Sequence, residues 1–152
     1  MPEVRFYQLS ATPLEANLPP MLEMALGRGW RVVVRCGSEA GLAMLDTALW
    51  TWRDDAFLPH GTAAAGHAAE QPVYLTLGAE NPNRATVLML VDGARAMPAE
   101  MQRYERTCLI FDSGDGALVA AARDDWRAVR AAGLPAVYWA QERGRWVEKA
   151  AG

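Results

Sequence analysis

Two rhythms of apolar residues run along this chain: short continuous apolar runs, and longer stretches where apolar residues recur every three or four positions. The first is what strands buried on both faces look like, and the second marks helices that cover them. Val4 to Leu9 reads as a first strand. Leu14 to Gly27 follows as a helix, with Leu14, Leu18, Met21, Leu22, Ala25 and Leu26 on a helical period. Pro19-Pro20 predicts an interruption or a late start there, because proline lacks an N–H and clashes with the preceding turn. Gly29 ends the segment, and Trp30 to Cys36 (WRVVVRC) predicts a second strand rich in β-branched residues. Ser38 is placed to cap a helix running to about Trp50, with Glu39 in its first turn and Leu42, Leu45 and Leu49 as its apolar stripe.

The pattern breaks down from Thr51 to Gln71, where Gly61 to Gln71 is expected to be a mobile surface loop. It resumes in strands at Val73 to Leu77, Thr86 to Val91 and Thr107 to Phe111, with a short helix expected over Pro98 to Arg106. A helix from about Ala117 to Ala132 is closed by Gly133, with Pro135 beyond it, and Ala136 to Ala140 is a last strand. Alternating strands and helices imply the α/β class: a single domain, residues 1–152, with a mostly parallel sheet flanked by helices in a nucleotide-binding-like, Rossmann-like arrangement.

Composition narrows the function. At 152 residues, 51% hydrophobic and 22% charged, the chain can bury a sizeable core. A net charge of -3 argues against broad grip on DNA or RNA, which runs on surplus lysine and arginine. Cys36 and Cys108 lie far apart in apolar runs and read as reduced core residues. No stretch approaches the length of a membrane span, and Met1-Pro2-Glu3 lacks the features of a secretory signal, so a cytoplasmic protein is expected.

Catalytic chemistry finds few residues. Neither G-x-x-x-x-G-K-[ST] nor G-x-G-x-x-G follows a strand, and Gly37-Ser38-Glu39-Ala40-Gly41 would put a carboxylate where a phosphate should sit. No cofactor is expected. His60 and His67 with two strand cysteines do not make a zinc site, so no metal is expected either. His60 would serve as a general base beside a Ser or Asp, or as a hydrogen-bonded anchor after a strand; no G-x-S-x-G accompanies it. The adjacent pairs Asp54-Asp55 and Asp124-Asp125 read as solvated surface. No catalytic residues are expected, and the chain reads as a binding subunit, not an enzyme.

Two constellations look like contact surfaces. Trp50, then Phe57, Pro59 and His60, gather large rings beside a proline at a helix end. The same rings would serve equally to close the core. The second is the helix face of Arg123, Trp126, Arg127 and Arg130, followed by Leu134. Spacings of three, four and seven from Arg123 put these side chains on one face, suited to an acidic peptide carrying an aromatic side chain and a free carboxylate. Arginine near a helix C-terminus is also favoured by the helix dipole alone.

At these places the sequence resembles the chi subunit family of bacterial DNA polymerase III. V-R-F-Y-Q-L (Val4 to Leu9) resembles that family's F-Y-L first strand. L-D-T-A-L-W followed by F-L-P-H (Leu45 to His60) resembles its L-D-x-x-L-W and F-[VIL]-P-H block, and R-x-x-W-R-x-x-R-x-A-G-L resembles its R-x-x-Y-K-x-x-R-x-A-G-F. Trp126 stands where the family carries tyrosine. The resemblance implies a non-catalytic, replisome-associated adaptor that links the clamp-loader assembly to single-stranded-DNA-binding protein and touches DNA only indirectly. It implies that Trp50, Phe57, Pro59 and His60 face the psi subunit, a side that can also take a helicase-like partner. It implies that Arg123, Arg127 and Arg130 attract the acidic tail of single-stranded-DNA-binding protein, while Trp126 and Leu134 line the slot for its terminal Phe.

Overall fold

The computed structural model describes residues 2–52 and 59–151. Its elements are β1 (Glu3–Leu9), α1 (Leu14–Gly27), β2 (Val32–Arg35), α2 (Glu39–Thr51), β3 (His60–Thr62), β4 (Val73–Thr76), β5 (Val87–Leu90), α3 (Pro98–Met101), β6 (Arg106–Asp112), α4 (Gly116–Ala131), β7 (Ala136–Glu142) and β8 (Arg145–Ala151). Among the described residues the strands form one sheet in the order β3-β4-β2-β5-β6-β1-β7-β8. β1 through β7 run parallel, and β8 joins β7 antiparallel.

Side chains alternate across each strand and so divide the core into two layers. Val32, Val34, Val73, Leu75 and Met89 meet Leu18, Leu22, Leu45 and Leu49 from α1 and α2. Phe6, Val33, Leu88, Leu90 and Phe111 meet Met101, Ala122, Val129 and Leu134 on the other face, beneath α3 and α4. The result is a helix–sheet–helix sandwich.

Local chemistry explains most boundaries. Ser38 caps α2, its hydroxyl accepting from the Gly41 N–H at 3.0 Å. The Asp115 carboxylate caps α4 by accepting from the Ala117 and Leu118 N–H groups. α1 and α4 close in the same way. Gly29 and Gly133, each at φ +78°, let the chain turn left-handed. The Trp30 and Leu134 N–H groups then return to the carbonyls of Ala25 and Val129. Trp30 therefore belongs to the cap, which is why β2 begins at Val32 and not at Trp30.

Two other expectations are corrected, for α1 and α3. α1 runs unbroken through Pro19 and Pro20. The two ladder bonds they cannot make would end on Glu15 and Ala16, whose residues are exposed, while Leu18, Pro19 and Leu22 pack the helix into the core. α3 is a single turn. Tyr104 is buried just beyond it, and the Glu105 N–H bonds to the Thr86 carbonyl at 2.9 Å, drawing the chain into β6. The stretch after Pro59 contains β3 and two 3₁₀ turns, Ala63–Ala65 and Ala68–Glu70. β8 carries no apolar rhythm because six of its seven residues are exposed.

Candidate partner-binding faces

In open α/β sheets ligands sit beyond the carboxyl ends of the strands, where neighbouring strands connect in opposite directions. Here that point lies between β2 and β5, since the chain leaves β2 towards β3 and leaves β5 towards β6. Asp92, at φ 55°, fills it. Its carboxylate accepts from the Ser38 hydroxyl at 2.6 Å, at the N-terminus of α2. A Cβ at Gly41 would lie 2.0 Å from the same carboxylate, and one at Gly37 would lie 1.9 Å from the Asp92 carbonyl oxygen. A carboxylate thus stands where a phosphate would, but it comes from Asp92 and not from Glu39, which is exposed.

The two cysteines are buried, and burial pushes each thiol up to about 12, away from thiolate chemistry. His60 opens β3 and is buried, with Nε2 3.0 Å from Asp46 Oδ1 on α2. Among the described residues no group of His, Cys, Asp and Glu is arranged to hold a metal ion, and no helix is long and apolar enough to cross a membrane.

The α4 face is built in two tiers. Phe6 on β1 is fully buried and meets the Trp126 ring edge-to-face, with centroids 5.3 Å apart. Tyr138 on β7, paired in register with Phe6, stacks on it at 6.0 Å and meets Trp126 at 5.9 Å. The Tyr138 hydroxyl donates to Gln8. Burial raises its pKa, and the charge of Arg123 opposes that rise, which places Arg123 within electrostatic reach of the ring. Trp126 is consequently half-buried and held from below, while Arg123, Arg127 and Arg130 stay exposed. The Arg130 guanidinium lies 5.8 Å above the indole centroid, and among the described residues Arg127 pairs with Asp124, at 3.2 Å. Leu134 is 8% exposed and packs with Val129 in the closing turn of α4.

One acidic residue of this helix departs from expectation. Asp125 is buried, not solvated, and accepts from Arg95 at 2.6 Å. Positions 124 and 125 sit about 100° apart around a helix, so one carboxylate reaches water and the other the core side. Adjacency in the sequence gives no sign of this tie between α4 and the loop after β5.

At the end of α2, the Trp50 ring is 57% exposed and tilted over His60, with centroids 4.8 Å apart. Pro59, just before His60, is half-buried and lines a groove with Trp30 and Pro72, and Trp52 packs against the α1–α2 core. The structure therefore brings Trp50 and His60 together, with Pro59 adjoining His60 in the chain; Phe57 lies outside the described residues, as do Asp54 and Asp55.

Comparison with known proteins gives one consistent answer. The model of the family described as DNA polymerase III chi subunit, HolC, matches residues 1–137. A DNA polymerase III subunit chi of Pseudomonas aeruginosa is 31% identical over 138 residues, covering 89% of this chain and 94% of that protein. A probable DNA polymerase III subunit chi of Rickettsia prowazekii is 42% identical over 48 residues, covering 32% of this chain and 29% of that protein.

Proposed function

Because this chain belongs to the DNA polymerase III chi subunit family, we propose that it is a non-catalytic adaptor that ties the clamp-loader assembly to single-stranded-DNA-binding protein. The observation that carries this reading is the α4 face, where exposed Arg123, Arg127 and Arg130 share a helix with a half-buried indole packed on Phe6 and Tyr138, Arg130 lying over the ring. Such a face suits an acidic peptide tail. Arg123, Arg127 and Arg130 supply charge-assisted hydrogen bonds to its carboxylates, and Trp126 supplies an apolar surface for a terminal aromatic ring. Leu134, nearly covered, underlies that surface as support. DNA is reached indirectly through the tail, consistent with a net charge of -3.

The Trp50, Pro59 and His60 corner is the second contact of the same adaptor. With Phe57 it takes the psi subunit, or a helicase-like partner on the same side. Trp50 offers an exposed ring, and buried His60, held by the part-exposed Asp46, lies under it. Neither contact needs a cofactor or a membrane, and the place of action is the cytoplasmic replisome.

Titration of the whole chain with a peptide copying the acidic tail of single-stranded-DNA-binding protein, followed by tryptophan fluorescence, tests the first contact. Micromolar binding that weakens steeply with salt, and disappears with Arg123→Ala, with Trp126→Ala or on removal of the terminal Phe, is the expected result. Absence of binding at low salt overturns the tail assignment.

A further inference from the structure

The helices α1 and α2 cover only part of their face of the sheet. Towards β1, β7 and β8 a slot of about 280 Å³ is left open, and no candidate contact described above uses it. Tyr7 and Trp139, which pair in register on β1 and β7, form its sheet side. Trp146 on β8 meets Tyr7 edge-to-face at 5.3 Å and walls one end. Met21, Met24 and Trp30 line it from α1 and its cap. Met24 is 63% exposed, and Trp146 is also exposed, so this apolar surface is open to solvent.

Its rim is cationic. Arg5, Arg28 and Arg106 all line it. Arg28 and Arg106 lie over the Trp30 ring at 5.0 and 4.9 Å. Arg5 and Arg106 share one carboxylate oxygen of Glu3, at 3.1 and 2.8 Å, and Arg28 has no ion pair among the described residues. Among the described residues these three guanidinium groups have one carboxylate, Glu3, within ion-pair distance, in a chain whose net charge is -3.

We propose that this slot docks a peptide segment of a partner protein in which one large apolar side chain is flanked by carboxylates. The volume lies just under the roughly 300–1,000 Å³ of small-molecule sites, which suits a single anchor residue. Two methionines let the slot adapt to the anchor, and the arginines stand at the rim, where residues flanking it would run. A second copy of this chain is a poorer occupant, because a two-fold contact would set the same arginines against each other. Part of the slot also extends past the stretch that matches the family. Trp139 and Trp146 lie beyond residue 137, where the family match ends.

The test uses the full chain labelled with nitrogen-15, whose six tryptophans each give an indole N–H signal. The probe is a pentapeptide with phenylalanine between pairs of glutamates, acetylated and amidated so that it lacks the free carboxylate proposed for the α4 ligand. Expected are shifts at Trp30, Trp139 and Trp146 with Trp126 unmoved, binding about tenfold weaker in Arg28→Glu, and little binding by the peptide with lysine in place of glutamate. Trp146→Ala, a change at an exposed edge position, also weakens the probe. Movement of Trp126 alone, equal binding of the lysine peptide, or no shifts at millimolar probe overturns the proposal. So does loss of the three slot signals with rising protein concentration alone, which would make the slot a self-association surface. Failure of the tail titration leaves these signals unaffected, so the two readings fail separately.

Discussion

β1 and β7 serve two quite different surfaces with consecutive residues. Phe6 and Tyr138 point to one face of the sheet, where α4 covers them and Trp126 rests on them. Tyr7 and Trp139, one position along, point to the other, where α1 covers them only in part and Trp146 lies against Tyr7. Under α4 the rings are support, and the exposed layer is charge. In the slot the rings themselves are the surface, and charge is confined to the rim. A covered aromatic pair contributes stability first and positions a binding face second; an open pair contributes little stability and presents its area to a ligand. The largest consequence falls on the covered side. Phe6→Ala removes a fully buried ring from beneath Trp126 and is expected to cost about 3–5 kcal/mol in chemical denaturation. It also weakens tail binding, although Phe6 touches no ligand in the proposed contact. A cost near that of a surface substitution would break the view of Phe6 as the foundation of the α4 face.

Next in size is a dependence on alkaline pH, centred on the slot side. Cys108 lines the slot and Cys36 packs in the same core layer, and burial raises both thiols from the ordinary 9.0 to about 12. Between these values the unfolded chain releases protons that the folded chain retains. The stabilisation is fully present below pH about 9 and is lost as pH rises towards 12. Denaturation midpoints measured from pH 8 upward should fall progressively, and Cys108→Ser should flatten that fall. Thiol reagents at pH 8 should label the native chain only as fast as it opens. Prompt labelling of the folded protein would show the slot floor to be more open than its burial implies.

How much of this was legible in the sequence depends on where each property originates. Fully buried parallel strands announce themselves as apolar runs, so β2, β4, β5 and β6 were readable from Val33, Leu75, Leu88 and Leu109 and their neighbours. Caps are chemical and local, which made Ser38 and Gly133 dependable markers. β8 was not read, because a solvated edge strand needs no apolar rhythm. The sign it did carry was Arg143-Gly144 between Glu142 and Arg145, both at positive φ as a tight two-residue hairpin requires. The α4 constellation was legible because helical spacing alone brings Arg123, Trp126, Arg127 and Arg130 together. The slot was not, since Tyr7, Met24, Trp30, Trp139 and Trp146 share no spacing and meet only through the order of the strands. Asp92 escaped for the same reason: topology, not motif, sets it at the start of α2.

Trp146→Ala sharpens the comparison from the open side. Trp146 sits on an edge strand and touches Tyr7 edge-to-face, so its loss should cost about 1 kcal/mol and leave the midpoint far above that of Phe6→Ala. Affinity for the acidic tail should not change, because Tyr7 and Phe6 face opposite sides of the sheet. A drop in tail affinity would mean that the two surfaces are coupled through β1 and β7 instead of merely sharing them.

The smallest expected effect is the most specific. Among the described residues Asp124 is the ion-pair partner of Arg127, at 3.2 Å, and both side chains are well exposed. Such a surface pair contributes roughly 0–1 kcal/mol, and Asp124→Asn should therefore leave stability within about 0.5 kcal/mol of the parent. Binding should respond differently. The Asp124 carboxylate competes with an incoming tail for Arg127 and repels its acidic residues, so neutralising it should tighten the tail by about twofold to threefold at low salt. The gain should fade as added salt screens exposed charges beyond about 10 Å. Asp125→Asn is the contrast on the same helix. Its carboxylate is buried against Arg95, so that variant should lose stability and give no comparable gain in tail affinity. If the two substitutions acted alike, the division of α4 into a solvated binding face and a buried supporting face would be wrong, and with it the claim that the arginines act as free charges above a fixed indole.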